Sequence, residues 1–167
     1  MIDNFNLNIP NHIDSEFYIL KIDKLCLSDL LVKVTNKKSR NISTYLPIEE
    51  TPHFSFVESY ISGKKEKPKS GYRNYKEYNQ YNQHHLDVIN FQKLIDNIIA
   101  NGFHKNNSKI ICLRKSYNPF KKFFKVLDGS HRLAVIYFLN FKNVDVAIAN
   151  YKKNFFQRKF NIMKNSF

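Results

Sequence analysis

Between Phe124 and Leu139 the hydrophobic pattern changes period within two residues. Phe124-Lys125-Val126-Leu127 is an apolar β-type run, and Asp128-Gly129 stops it. Ser130-His131-Arg132 then opens a segment whose Leu133, Ala134, Ile136, Tyr137 and Leu139 read as a helix. A chain with this pattern must end a strand and start a helix with almost no loop between them. The first N–H groups of a helix lack carbonyl partners and the helix dipole adds partial positive charge, so such a start favours an anion. Gly129 permits a sharp turn or a close backbone approach. His131 and Arg132 add side-chain donors, Arg132 in a fork that suits phosphate oxygens. The junction therefore reads as a phosphate site. A plainer reading of the same residues makes Asp128 or Ser130 an N-cap, Gly129 a turn residue, and His131 and Arg132 solvated side chains.

Asp128-Gly129-Ser130-His131-Arg132 resembles the motif of the ParB N-terminal-like superfamily, the fold shared by ParB partition proteins, sulfiredoxin and free serine kinases. The likeness extends backwards through a helix-like run, Phe91 to Phe103, and a strand-like run, Lys109 to Leu113. It also includes Tyr18 to Leu25 near the start. It covers Leu86 to about Tyr151 well and residues 17–25 more loosely. The intervening residues have no clear counterpart. Sulfiredoxins carry a catalytic cysteine where this chain has Ser130, which argues against their activity here. ParB proteins carry Gly-Glu-Arg-Arg in the matching tract, and no downstream helix-turn-helix is visible. Free serine kinases carry Asp-Gly-His-His-Arg, one difference from this chain. A softer similarity is to small members found beside bacterial surface-polysaccharide genes, which share a Tyr-rich segment like Tyr72-Arg73-Asn74-Tyr75-Lys76-Glu77-Tyr78.

The resemblance implies an α+β fold, a single ParB/sulfiredoxin-like domain with a small mixed sheet flanked by helices. Its core would span residues 17–151, with an inserted helical segment at about 51–85 and a basic aromatic tail at 152–167. At 167 residues the chain is long enough for one domain with a real core. No apolar run approaches the length of a membrane span, and the N-terminus lacks a signal pattern. Cys26 and Cys112 lie in apolar strand-like stretches without Cys-x-x-Cys spacing, which suggests two buried thiols in a cytoplasmic protein. The formal charge of +13 admits nucleic acid as a partner. However, most of the cations are lysines in a Lys-, Asn-, Ile-, Phe- and Tyr-rich composition, as an AT-rich genome would also give.

Along the chain, residues 1–15 read as a loose lead-in and Phe17–Leu25 as a strand. Ser28 could cap a short helical turn through Leu31, and 36–41 form a polar connector. Thr51-Pro52 starts a helix through His53, Phe56, Val57 and Tyr60 that ends near Gly63. Residues 64–71 form a charged loop. Tyr72, Tyr75, Tyr78 and Tyr81 follow at a spacing of three, on one helical face. They either pack on the domain or form a wall for a base or sugar, with Arg73, Tyr75 and Tyr78 as its candidates. Leu86 to Ile99 is an amphipathic helix stopped by Gly102. Lys109–Leu113 and Phe123–Leu127 are strands joined by the Asn118-Pro119 turn, and Asn143–Ala149 is a last strand.

Neither a Gly-x-x-x-x-Gly-Lys-Ser/Thr loop nor a Rossmann glycine fingerprint is present, and the adjacent His84 and His85 diverge on a helix. No metal cluster of side chains stands out. The resulting expectation is a nucleotide-dependent phosphotransferase acting on a hydroxyl-bearing metabolite, in the context of surface-polysaccharide biosynthesis. Gly129, Ser130, His131 and Arg132 would hold the phosphates of ATP or ADP (CTP is a further option), with Mg²⁺ bridging the nucleotide oxygens. Asp128 is the first candidate for acceptor base or metal contact, Glu50 the second, with Glu49 and Asp23 in reserve. The alternative is a non-catalytic nucleotide- or DNA-binding module using Lys152, Lys153, Arg158 and Lys159, or a nuclease. The oligomeric state is not legible in the sequence.

Overall fold

The protein is described from a computed structural model covering residues 9, 11–36, 42–63, 75, 86–103, 110–115 and 123–152. The fold is α+β, built on one mixed six-stranded sheet. Strands β1 (Phe17–Cys26), β2 (Leu30–Asn36), β3 (Ile42–Pro47), β4 (Ile111–Lys115), β5 (Phe124–Asp128) and β6 (Asn143–Tyr151) lie in the order β1-β6-β4-β5-β2-β3. The pairs β1/β6, β4/β5 and β2/β3 are antiparallel, whereas β4/β6 and β2/β5 are parallel. Helices α1 (Asn11–Glu16), α2 (Pro52–Ile61), α3 (Val88–Asn101) and α4 (Ser130–Phe138) complete the described elements, with short 3-10 turns at Leu27–Asp29 and Ile48–Glu50. Among the described residues, no helix is long and apolar enough to cross a membrane.

The sheet is strongly curled. β1 and β2 are four strands apart, about 19 Å along the hydrogen-bonding direction of a flat sheet, yet four residues from Cys26 to Leu30 reach at most about 14 Å. Twist has to bring the end of β1 towards the start of β2.

Alternation sorts side chains onto two faces. Leu30, Val32, Ile111, Leu113, Val126, Val144, Val146 and Ile148 point into the larger core beneath the helices. Cys112, Ala147, Ala149 and Phe17 face the other way and pack with Ile13 of α1. Helix α4 is enclosed: Leu133, Ala134, Val135 and Ile136 are all buried, and at about 100° per residue they occupy most of its circumference. α2 and α3 are joined at their surface by Tyr60, whose hydroxyl meets both carboxylate oxygens of Asp96 at 3.1 and 2.8 Å.

Helix ends follow local chemistry. Thr51 is the extended N-cap of α2, its Oγ1 accepting from Phe54 N–H at 3.2 Å, and Pro52 needs no N–H partner at the first position. Asp87 caps α3 through Asn90 N–H at 2.7 Å, and Gly102 ends it at φ +74°. α4 closes with a Schellman pattern: Asn140 has φ +59°, its N–H bonds Tyr137 C=O, and Phe141 N–H bonds Ile136 C=O.

Three expectations need correction. The lead-in contains helix α1. Leu30–Asn36 and Ile42–Pro47 pair as antiparallel strands that the sequence reading did not assign, Leu30 and Leu31 having been given to a helical turn, while the expected connector at 36–41 lies mostly outside the described residues. Cys26 is exposed at the end of edge strand β1, not buried, while Cys112 is buried in the centre of the sheet. The Asn118-Pro119 turn, His84 and His85, and the tail beyond Lys152 lie outside the described residues.

Candidate functional site

β5 ends at Asp128 and α4 starts at Ser130, so Gly129 alone makes the turn. Its φ of +100° is a conformation L side chains avoid, and a Cβ there would lie 2.9 Å from Ile111 Cγ1 and 3.1 Å from Arg132 Nη2. The glycine is thus required by the backbone and by close packing on β4. The space a Cβ would fill is already held by the protein's own atoms. Gly129, not Asp128 or Ser130, occupies the N-cap position of α4, and having no side chain it brings no side-chain cap. The first intrahelical bond is Leu133 N–H to Gly129 C=O at 2.9 Å. Ser130, His131 and Arg132 before it make up the first turn.

Arg132 folds back over that turn. Its Nη2 donates to Asp128 Oδ2 at 2.6 Å, one helical turn away, in an ion pair whose side chains are 12% and 26% exposed. Its Nη1 is buried and has no hydrogen-bond partner among the described residues. Burial pulls the guanidinium pKa below its ordinary value, opposed by the charge of Asp128 and the nearby Cys112 thiol. Cys112, opposite Asp128 in the β4–β5 ladder, is pushed up to about 12, first by burial and then by Asp128. A thiol held protonated in this way is no nucleophile near neutral pH.

His131 points elsewhere. Its ring meets His53 edge-on at 4.5 Å and Phe91 at 4.7 Å, and its Nε2 lies 2.8 Å from the hydroxyl of Tyr75. That hydroxyl also lies 2.7 Å from Leu86 C=O. A carbonyl only accepts and the phenol has one proton, so Tyr75 donates to Leu86 and accepts from His131 Nε2–H. The imidazole tautomer follows from that. Tyr75 is fully buried and packs on Phe56 at 4.8 Å and Phe91 at 5.1 Å. It is a core residue, and the expectation of a substrate wall does not hold for it, because neither ring face reaches solvent. Arg73 and Tyr78 lie outside the described residues.

The remaining carboxylates are not gathered at the junction. Glu49 and Glu50 are exposed in the turn before α2. Glu49 bonds Tyr137, which lies seven residues along α4 from Ser130, about 10 Å away along the axis. Burial and then the Glu49 charge raise the Tyr137 pKa. Asp23, on edge strand β1, pairs with Lys21 at 2.5 Å and accepts from Lys24 N–H, which together lower its pKa. At this second location Cys26 Sγ lies 3.1 Å from Ser28 Oγ, and the bond to Ser28 lowers its pKa.

Sequence reasoning missed His53, Leu86 C=O and Cys112 as neighbours of the motif. His53 had one signal, its place on the buried side of α2 beside Phe56 and Val57. Among the described residues, no group of three or more His, Cys, Asp or Glu side chains is placed to hold a metal ion. No protein-family model matches the chain, and neither the curated proteins nor the solved structures include one that matches it.

Proposed function

We propose that the β5–α4 junction binds the phosphates of a nucleotide, ATP or ADP, and that the protein transfers a phosphoryl group to a hydroxyl-bearing metabolite. The observation that carries the binding half is Arg132 Nη1, a buried cationic donor without a partner among the described residues, on the first turn of α4. A buried donor left unmet costs about 1–3 kcal/mol, more when charged, and an oxyanion at the helix start would remove that cost. Arg132 can give Nη1 to a phosphate while Nη2 stays on Asp128, because the guanidinium has separate donors in a fixed fork. The N–H groups of the first turn, from Ser130 onward, supply the remaining donors.

The catalytic half rests on the likeness of Asp128-Gly129-Ser130-His131-Arg132 to the motif of the free serine kinases, and with it on the ParB/sulfiredoxin-like superfamily as the chain's kin. Asp128 is the carboxylate beside the site and takes the role of acceptor base or metal contact. Mg²⁺, held mainly by the nucleotide's own oxygens, would neutralise phosphate charge there. His131 takes a positioning role in place of the phosphate contact expected of it, since its Nε2 is committed to Tyr75.

One observation favours a second reading, a nucleotide-binding module without turnover: Asp128 Oδ2 is engaged by Arg132. Nucleotide consumption, measured against a panel of small hydroxyl acceptors, separates the two. The phosphotransferase reading expects Asp128→Asn to keep nucleotide binding and lose turnover. Binding without turnover in the wild type, across the panel, would leave only the module.

A further inference from the structure

Three helix starts meet at one aromatic cluster. His53 is the second residue of α2, His131 the second of α4, and Phe91 lies on the first turn of α3. The two imidazoles meet edge-on at 4.5 Å, and Phe91 packs on His131 at 4.7 Å. Tyr75, itself packed on Phe56 and Phe91, closes the cluster at 5.8 Å from His53 and 5.9 Å from His131. His53 is fully buried. His131 donates Nε2–H to Tyr75, so the neutral ring carries its lone pair on Nδ1. Several features of this place oppose a positive charge. Burial removes the water that would solvate an imidazolium. α2 and α4 both present the positive end of their dipoles, and their caps, Thr51 and Gly129, carry no charge. A charge on one ring also opposes a charge on the other. The surrounding carboxylates have their own partners: Asp128 meets Arg132, Asp87 meets Asn90 at the cap of α3, and Glu49 meets Tyr137. Glu50 is exposed in the turn before α2. Arg132, one residue on, adds a further cation, and Cys112 of β4 keeps its proton.

We propose that phosphate binding at the β5–α4 junction is coupled to proton uptake from solvent by this histidine pair, at His131 Nδ1. The coupling rests on the junction being a phosphate site. A phosphate on Ser130 N–H and Arg132 Nη1 brings about two negative charges to the turn that carries His131. It thereby removes the opposition to an imidazolium there. The added proton costs no hydrogen bond, because an imidazolium still donates from Nε2 to Tyr75. By reciprocity, the chain protonated at His131 binds phosphate more tightly by the same factor. The junction is thus an anion site whose affinity rises as pH falls from about 8 to about 6.

The test is histidine-ring NMR of the full chain from about pH 5 to about pH 8, with sodium sulfate or ADP against sodium chloride of equal ionic strength. Sulfate stays a dianion throughout this range, so any proton taken up with it belongs to the protein. The His131 titration midpoint should rise by about one pH unit with either anion, equivalent to about tenfold tighter binding by the protonated chain. Sulfate affinities measured at about pH 6 and about pH 8 should differ by nearly that factor, and His131→Gln should level them. Arg132→Gln, with both imidazoles in place, should show one midpoint in all three salts. The His131 signal is assigned through His131→Gln or, if that chain does not fold, through ring contacts with Tyr75 and Phe91. Anion binding that depends on Arg132 but leaves the His131 midpoint unmoved would overturn the coupling and spare the phosphate site. Absence of binding by either anion at every pH would overturn both.

Discussion

His131 and Arg132 are consecutive in the chain and opposite in their commitments. Leaving α4 about 100° apart, one enters an aromatic core and the other returns to the strand it came from. His131 joins α4 to α2, through His53, to α3, through Phe91, and to the segment holding Tyr75. Arg132 spans only the turn, with one donor on Asp128 and another buried without a partner among the described residues. A motif that reads as two phosphate donors therefore divides into a fastening residue and a residue with donor capacity to spare. Pattern alone cannot separate these roles, because both residues sit at the same helix start and differ only in what the rest of the fold brings to them.

Substitutions at the two positions should diverge. His131→Ala removes a ring from a packed cluster and leaves the Tyr75 hydroxyl short of a partner, and should cost about 2–3 kcal/mol in denaturant unfolding. A loss under about 1 kcal/mol would mean the cluster does not depend on the imidazole. Tyr75→Phe keeps the ring but unpairs both Leu86 C=O and His131 Nε2, for an expected loss of about 2 kcal/mol. Gly129→Ala should cost about 1–2 kcal/mol from its left-handed φ, with a further clash at Ile111 Cγ1. Arg132→Gln should change stability by about 1 kcal/mol or less, since losing the Asp128 pair is offset by removing a desolvated charge with an unmet donor. If Arg132→Gln proved as destabilising as His131→Ala, the contrast between the neighbours would collapse.

The smallest effect is chemical. At pH 8 iodoacetamide should label Cys26 in the native chain and reach Cys112 only after denaturation, as their exposure and opposite pKa shifts dictate. The Cys112 pKa rises from 9.0 to about 12 on folding, so the native state keeps its proton where the unfolded chain loses it. That contribution to stability is whole below pH 9.0 and is lost as pH climbs towards about 12. Cys112→Ala should flatten the alkaline limb of a pH–stability profile.

How much of this was legible in the sequence depended on how local the cause was. Thr51-Pro52 placed the start of α2 to the residue because capping is decided within four residues. Gly102 stopped α3 for the same reason, and the β5–α4 boundary could be read from Asp128-Gly129. The β2–β3 hairpin was not found, although Leu30, Val32 and Val34 alternate with Leu31 and Lys33. Part of what secures β2 is its parallel pairing with β5, more than ninety residues away, and no local pattern reports that. Tyr75 shows the same limit: its spacing admitted a core or a wall, and a histidine 56 residues further on, bonded to its hydroxyl, makes it core. Cys26, flanked by Leu25 and Leu27, looked buried, and only its position on an edge strand exposes it.

The most direct test of the phosphate site is thermal unfolding with ATP, ADP and CTP, with and without Mg²⁺, for wild type, Arg132→Gln and Tyr75→Phe. A nucleotide at about a hundred times its dissociation constant should add about 2.7 kcal/mol, a rise of roughly 5–10 °C for a chain of this size. The rise should appear in wild type and Tyr75→Phe and vanish in Arg132→Gln. An equal rise in all three, or none with any nucleotide, would contradict the assignment of Arg132 and the start of α4 as the phosphate site.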